Sequence, residues 1–217
     1  MEAPQRAVVW LGVTASFAAV NFYGASQAPD RGGDTVYSYD ILASAVIVYG
    51  ILLGFVFAVT RDLPRRELLA LQAPSSWGHA VGLWFGGLLS IFAGAYFLLW
   101  LAGAGDEQNL APDRWDGSRA GAYAASFVAI VLIGPFVEEL LYRGVGVGLL
   151  EPRGKLTAIT VTAVMFGLGH GLLLSLGAFV WFGVVTAWIR LRSNSIYPSL
   201  AVHVTFNAVG MIAPLLF

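Results

Sequence analysis

Residues 120–150 read AGAYAASFVAIVLIGPFVEELLYRGVGVGLL, a long apolar stretch with two glutamates and an arginine near its middle. A helix that crosses a bilayer needs roughly 20 predominantly apolar residues, and this stretch is long enough. Charged side chains at membrane depth are costly unless they are paired or functional. The stretch therefore predicts a transmembrane helix that carries a functional site.

The composition of the whole chain also indicates a membrane protein. The 217 residues are 58% hydrophobic and 12% charged, whereas a soluble domain is typically about a quarter charged. The net charge of −1 gives no indication of nucleic-acid binding. Because the chain has no cysteine, disulfides, thiolate nucleophiles and cysteine-containing metal sites are excluded.

Six further apolar stretches accompany residues 120–150, so we expect an all-α, polytopic transmembrane helical bundle of about seven spans. The predicted spans are about Ala7–Ala25, Ile41–Thr60, Ala80–Ala104, Ala120–Leu150, Leu156–His170, Leu173–Leu191 and Tyr197–Leu216. The fifth is short, and the glycines on either side of His170 predict that its helix ends near the middle of the membrane.

The positive charges predict the orientation of the bundle. With the N-terminus in the cytoplasm, eight cations face inward: Arg6, Arg61, Arg65, Arg66, Arg153, Lys155, Arg190 and Arg192. Three face outward: Arg31, Arg114 and Arg119. Because cytoplasmic loops carry an excess of Lys and Arg, we expect a multi-pass protein of the cell membrane, inner or plasma, with a cytoplasmic N-terminus.

The two glutamates of the fourth span are expected to have different partners. Glu139 and Arg143 are four residues apart, so they share a helix face and can form a salt bridge. Glu138 is rotated from Glu139 by about 100° around the helix and is left free for another partner. A purely structural ion pair needs only one carboxylate, so the second one indicates a functional role.

Polar side chains inside the fifth and seventh spans complete a candidate site. His170 follows Phe166 by one helical turn, which places the phenyl ring against the imidazole, and His203 precedes Asn207 by the same spacing. A single histidine in an apolar helix is more often a packed core residue. At about 1.5 Å per residue, however, both histidines and Glu138 lie at depths that allow them to meet in one layer.

These side chains are the parts that amide hydrolysis by activated water requires. A carboxylate can act as general base, and a neighbouring histidine can orient the same water. A second histidine and an asparagine can donate hydrogen bonds to the developing oxyanion. One glutamate with two histidines is equally a zinc ligand set, here Glu138, His170 and His203. The residues leave both versions open.

At these positions the chain resembles the CAAX-protease and bacteriocin-processing family of membrane proteins, also called the Abi family. Its three motifs are present in order as Glu138-Glu139-Leu-Leu-Tyr-Arg143, Phe166-Gly-Leu-Gly-His170 and His203-Val-Thr-Phe-Asn207. The Arg143-Gly144 pair and the sequence of residues 196–200 are also similar. The resemblance covers residues 120–217.

The resemblance implies a variable N-terminal region of three spans at residues 1–119 and a catalytic core of about four spans at residues 120–217. It implies a glutamate-dependent intramembrane endopeptidase whose site opens toward the cytoplasm. Four residues would act on the substrate: Glu138, His170, His203 and Asn207. Three would support the site: Glu139, Arg143 and Phe166. Members include metal-independent enzymes and metalloenzymes, so the zinc question stays open.

The expected substrate is a membrane-associated or hydrophobic peptide or protein, such as a lipidated C-terminal peptide, and the other partner is the lipid bilayer. Two alternatives from other classes are a non-catalytic immunity or scaffold protein and a proton-coupled carrier. Cleavage that depends on Glu138 and His170 would favour the peptidase, and proton-driven flux that depends on Glu138 would favour the carrier. Motifs of zinc site-2, aspartyl and serine proteases are absent from the sequence.

Overall fold

The computed structural model describes residues 1–27, 32–104 and 114–216. Eight helices form the fold within these ranges: α1 (Ala3–Gln27), α2 (Asp40–Val59), α3 (Arg65–Leu68), α4 (Trp77–Ala102), α5 (Gly117–Arg153), α6 (Lys155–Gly169), α7 (Leu176–Ser193) and α8 (Tyr197–Ile212). Short 3₁₀ turns at Gly32–Tyr37 and Ala213–Leu215 precede α2 and follow α8. The described residues contain no strand, so the predicted all-α class is confirmed.

Within the described ranges, five of the seven predicted spans are helices long and apolar enough to cross a membrane. They are α1, α2, α4, α5 and α8 together with the turn that follows it. The fifth prediction corresponds to α6, a shorter apolar helix of 15 residues. The sixth corresponds to α7, whose last turn carries Arg190 and Arg192. The chain is therefore a multi-pass helical membrane protein.

The two ends of the bundle differ in charge. The eight cations predicted to face the cytoplasm lie at or near the ends of helices that meet at one end, which we call the cationic end. There Arg6 donates to the carbonyl of Val59 and lies 3.6 Å from the carboxylate of Asp62. Arg190 pairs with Glu151 at 3.1 Å. These contacts join α1 to the end of α2, and α7 to the end of α5.

The opposite end is where α1 and α8 finish and α2 and α5 begin. The Tyr37 hydroxyl donates to the carbonyl of Arg114 at 2.6 Å, which ties the turn before α2 to the segment before α5. Asp116 starts α5 by accepting hydrogen bonds from the backbone and side chain of Ser118 and from Arg119. The hydrogen bond from the Ser118 side chain and then that from Arg119 lower the pKa of the Asp116 carboxyl to about 2.

Helix α5 is continuous but not uniformly α-helical. It contains two π-helical segments, Val128–Ile133 and Glu139–Gly146, separated by the α-helical residues Gly134–Glu138. Proline has no amide hydrogen and its ring crowds the preceding turn, so a helix that continues through Pro135 must adjust there. π-helical segments occur frequently at functional sites because they redirect side chains. Here they bracket Glu138.

Helices α6 and α7 pack backbone to backbone. A Cβ added at Gly183 of α7 would lie 2.7 Å from the Cα of Ala163, so only glycine permits this approach. Helix α6 ends at Gly169, and Gly171 turns the chain with a φ of +69°. A Cβ at Gly171 would lie 2.6 Å from the backbone of Asn21 in α1. The chain therefore breaks next to His170, as the glycines predict.

The N-terminal helices belong to the same bundle as the C-terminal ones. Helix α1 packs along α6, and α4 packs along α7 and α8. Trp10 of α1 is fully buried, and its indole N–H donates to the carbonyl of Leu141 in α5 at 2.9 Å. The division into a variable region and a catalytic core at residue 120 stays a prediction.

Candidate active site

Glu139 and Arg143 form an ion pair inside the bundle. Their side chains are 0% and 1% exposed, and Arg143 Nη1 lies 3.4 Å from Glu139 Oε1, so the predicted pairing across one turn is confirmed. The guanidinium also donates to the hydroxyl of Thr186 in α7. It lies over the ring of Phe166, 4.2 Å from the centroid. One charged pair thereby fixes α5 against α6 and α7.

Glu138 points to another side of the same helix. The hydroxyl of Tyr49 in α2 donates to Glu138 Oε1 at 2.6 Å, and Glu138 Oε2 lies 3.8 Å from Nε2 of His203. Tyr49 therefore holds one oxygen of the carboxylate, His203 lies near the other, and the side chain lines two cavities. Of the two adjacent glutamates, Glu138 is the one that a ligand can reach.

His203 lies between the two glutamates. Its Nδ1 is 3.1 Å from Glu139 Oε1, and its Nε2 is the atom near Glu138. Because a carboxylate that is paired with Arg143 only accepts hydrogen bonds, Nδ1 carries the proton. The ion pair thus sets the orientation of the imidazole and presents Nε2 to the cavity side.

His170 is fixed in a similar way by a different group. Its Nδ1 lies 2.9 Å from the carbonyl oxygen of Phe166, so Nδ1 is the donor, and Nε2 has no hydrogen-bond partner among the described residues. The imidazole stacks on the ring of Phe179 in α7 at 3.8 Å between centroids, and it meets the edge of Phe166 at 4.7 Å. The predicted contact with Phe166 is confirmed, whereas the sequence pattern did not reveal Phe179.

Asn207 holds α8 to the first π-helical segment of α5. Its amide nitrogen donates to the carbonyl of Ile130 at 2.8 Å. In a π-helix this carbonyl would accept from the N–H five residues later, which is residue 135. Pro135 has no N–H to donate, so Asn207 supplies the missing donor. The amide group keeps a second N–H for another acceptor.

The structure brings the four predicted substrate-contacting residues onto the wall of one cavity. This large cavity has a volume of about 700 Å³ and lies among α1, α2, α5, α6, α7 and α8. A small cavity of about 320 Å³ lies between α1, α2, α5 and α6. Glu138 and His170 line both cavities, whereas His203 and Asn207 line the large one. Their individual roles stay predictions.

Both cavities extend from Glu138 toward the opposite end of the bundle. The small one reaches Gly24 and Ala25 near the end of α1, and the large one reaches Asp40 at the start of α2 and Met211 near the end of α8. The cations lie at the other end. A cytoplasmic N-terminus and a cavity open to the cytoplasm were both expected, and this geometry does not accommodate the two together.

Tyr49 is a second site residue, besides Phe179, that sequence reasoning missed. It is a tyrosine inside an apolar span, and its contact with Glu138 joins positions 89 residues apart. The polar hydroxyl in the middle of α2 was the available signal, because a buried tyrosine usually finds a hydrogen-bond partner. Nothing in the sequence indicates which partner that is.

The structure shows where the three proposed zinc ligands, Glu138, His170 and His203, lie relative to one another. Histidines whose Nδ1 is held by a carbonyl or a carboxylate are typical of zinc sites, so the chemistry of His170 and His203 suits a metal. In the part of the chain that the structure describes, however, no three His, Cys, Asp or Glu side chains converge closely enough to hold a metal ion. The residues as placed do not fit zinc.

Residues 120–209 match the family model described as type II CAAX prenyl endopeptidase Rce1-like. This part of the chain is similar to that family. The resemblance predicted from the three motifs is thereby confirmed, and the family indicates that the protein is a protease, a hydrolase. No match was found among curated proteins or among solved structures.

Proposed function

We propose that this Rce1-like protease is a glutamate-dependent intramembrane endopeptidase that cleaves a membrane-associated or hydrophobic peptide with activated water. The observation that carries the proposal is the position of Glu138. Its carboxylate is held by Tyr49, lies beside His203 and faces a cavity that His170 and Asn207 also line. A general base, a basic nitrogen and hydrogen-bond donors thus surround one space.

The proposed reaction uses each of these groups once. Glu138 accepts a proton from a water molecule, His170 Nε2 orients that water, and the water oxygen attacks the carbonyl carbon of the scissile amide. The oxyanion that forms accepts hydrogen bonds from the Nε2–H of His203 in its doubly protonated form, in which Nδ1–H still donates to Glu139, and from the second N–H of Asn207. The C–N bond then breaks, and the proton on Glu138 passes to the departing amine.

The walls of the large cavity suit an apolar substrate. Aromatic side chains line it beside the polar residues: Phe17, Tyr49, Phe166, Phe179, Phe182 and Phe206. Cavities of about 300–1,000 Å³ with apolar walls and a few polar groups are typical ligand sites. The family description names a prenyl endopeptidase, so we propose a lipidated C-terminal peptide as the substrate class, with the lipid chain against these rings.

The test uses the purified full-length chain in proteoliposomes with fluorogenic peptides, one carrying a prenylated cysteine and one without it. We expect Glu138→Ala and His170→Ala to lower kcat/KM by at least about a hundredfold each, because general acid–base groups contribute about 10²–10⁴. Glu67→Ala and His79→Ala are matched controls at exposed positions, and they should cleave like wild type.

Two results would overturn the proposal. The first is that both site variants fold and cleave as well as wild type. The second is that wild type cleaves no membrane peptide, including native ones detected by mass spectrometry of membranes with and without the active protein. In that case, proton flux that depends on Glu138 would indicate a carrier. If no such flux were found, a non-catalytic scaffold would be indicated.

We further propose that the protein lies in the cell membrane with the cationic end in the cytoplasm, so that both cavities open on the other side. The excess of cations at one end supports this orientation. Because the chain has no cysteine, single cysteines report on it cleanly. In intact cells an impermeant maleimide should label Ser26→Cys and not Glu2→Cys. The reverse pattern would place the N-terminus outside and the cavities toward the cytoplasm.

A further inference from the structure

The small cavity adjoins the large one at Glu138 and His170 and also has a part of its own, lined by Tyr142 and Gly169 and by residues near the end of α1. It lies against α1, where Phe17, Asn21, Gly24 and Ala25 share one face of the helix and form part of its wall. Gly24 and Ala25 line the small cavity and are absent from the lining of the large one. The part of the small cavity at Gly24 and Ala25 therefore lies outside the space that a peptide in the large cavity would fill.

The small cavity also contains a hydroxyl group with no hydrogen-bond partner. Tyr142 lies in the turn after Glu138, its side chain is 1% exposed, and its hydroxyl is unpartnered among the described residues. The ring is held edge-on by Trp10 and by Phe166. A Cβ at Gly169 would lie 2.7 Å from the hydroxyl oxygen, so the hydroxyl is fixed against the wall of the cavity.

A buried hydroxyl without a partner is costly, and an ordered water is the usual means of satisfying it. A water in a protein typically makes about three hydrogen bonds and needs roughly 30 Å³. The small cavity has a volume of about 320 Å³ and is lined by Glu138, Tyr142, Asn21 and His170. It therefore offers both the space and the polar partners that several waters require.

We propose that the small cavity supplies and holds the water that Glu138 activates, that Tyr142 binds this water, and that the peptide occupies the large cavity. The inference rests on the proposed function, because it assigns places to the two reactants of that hydrolysis. The Tyr142 hydroxyl donates a hydrogen bond to the water oxygen, while a water proton points to Glu138. Tyr142 keeps its own proton throughout.

The proposal predicts that the two cavities affect different kinetic constants. Gly24→Leu and Ala25→Leu, singly and together, narrow the small cavity and should lower kcat without raising KM. Gly210→Leu enlarges a side chain on the wall of the large cavity, at a site where an added Cβ meets open space, and should raise KM. Gly12→Leu, at an exposed position of α1 that is also open, should change neither constant.

Tyr142→Phe removes the hydroxyl and keeps the ring. We expect kcat to fall by roughly five- to tenfold with KM unchanged, since one neutral hydrogen bond is lost. Tyr96→Phe on the exposed face of α4 is the matched control. The variants are measured in proteoliposomes with the fluorogenic prenylated peptide, and thermal unfolding confirms that each is folded.

The outcomes separate the inference from the proposed function. If Glu138→Gln is inactive while Tyr142→Phe and the variants at positions 24 and 25 keep the wild-type kcat, the inference is wrong and the peptidase assignment stands. If Glu138→Gln cleaves like wild type, the assignment is wrong and the inference with it. If Tyr142→Phe does not fold, the variants Gly24→Leu and Ala25→Leu provide the test. A raised KM in these variants would overturn the inference.

Discussion

Glu138 and Glu139 have the same side chain, but they lie on two sides of α5 with different surroundings. Glu139 lies in the packed interior, where its carboxylate contacts Arg143 and His203 and its side chain is fully buried. Glu138 lies on the cavity side, where it accepts from Tyr49 and lines both cavities. One rotation of about 100° around the helix separates them.

Under the proposed function, this difference divides structural support and reactivity between two neighbouring residues. A buried charge requires a partner, and Arg143 satisfies that requirement for Glu139. The pair in turn orients His203 through Nδ1. Glu138 has a neutral hydrogen-bond donor, Tyr49, instead of a cation as its partner, and it lines both cavities. The ion pair in the packed interior thus positions His203, which the proposed function places beside the substrate.

The largest expected effect comes from breaking the ion pair between Glu139 and Arg143. Glu139→Gln leaves the Arg143 guanidinium buried without a counter-charge, so we expect the free energy of unfolding to fall by about 3–5 kcal/mol. Thermal and denaturant unfolding in detergent measure the change. Glu67→Gln, at an exposed position, is the control and should be neutral.

A second variant separates lost charge balance from lost packing. If the cost in Glu139→Gln comes from the unpaired guanidinium, then adding Arg143→Met should restore part of the stability, because apolar replacements of buried pairs are often tolerated. An unchanged unfolding free energy in the single variant would contradict the comparison, since Glu139 would then be as replaceable as a surface residue.

Much of this arrangement could be predicted because it depends on local spacing. The i, i+4 positions of Glu139 and Arg143 predict their ion pair, and the same spacing predicts the contact of Phe166 with His170. The glycines beside His170 predict where α6 ends. Each of these features lies within one or two turns of a single helix, where geometry follows directly from the sequence.

The rest depends on contacts between helices, which the sequence does not encode locally. Tyr49 meets Glu138 across 89 positions of sequence, and Asn207 meets Ile130 across 77. The π-helical segments change which side chains of α5 face α2 and α8. Apart from Pro135, no residue pattern in the sequence predicts these segments. The direction in which the cavities open likewise emerges only when the helix ends are placed together.

A smaller effect is expected from removing the hydrogen bond between Tyr49 and Glu138 on the cavity side of α5. Tyr49→Phe removes the hydrogen bond to Glu138 and keeps the ring in place. We expect kcat to fall about tenfold with little change in KM, because the hydroxyl positions the base but is not required to bind the peptide. The free energy of unfolding should change by about 1 kcal/mol or less.

The same assay shows whether Tyr49 acts through Glu138. In a Glu138→Gln background, Tyr49→Phe should have no further effect on residual activity, because the two side chains act as one unit. Equal losses in both backgrounds would mean that Tyr49 has an independent role. Tyr96→Phe, exposed on α4, is again the matched control.

The smallest expected effect is that of metal removal. No three metal-ligating side chains of the described residues converge, and His203 uses its Nδ1 for Glu139 while Glu138 accepts from Tyr49. We therefore expect EDTA or 1,10-phenanthroline to leave kcat/KM unchanged, and elemental analysis of active protein to find far less than one zinc per chain. Loss of activity with chelator, restored by zinc and not by magnesium, would make Glu138 a ligand instead of the base. The cavity side would then resemble the packed side, with a cation as the partner of each glutamate.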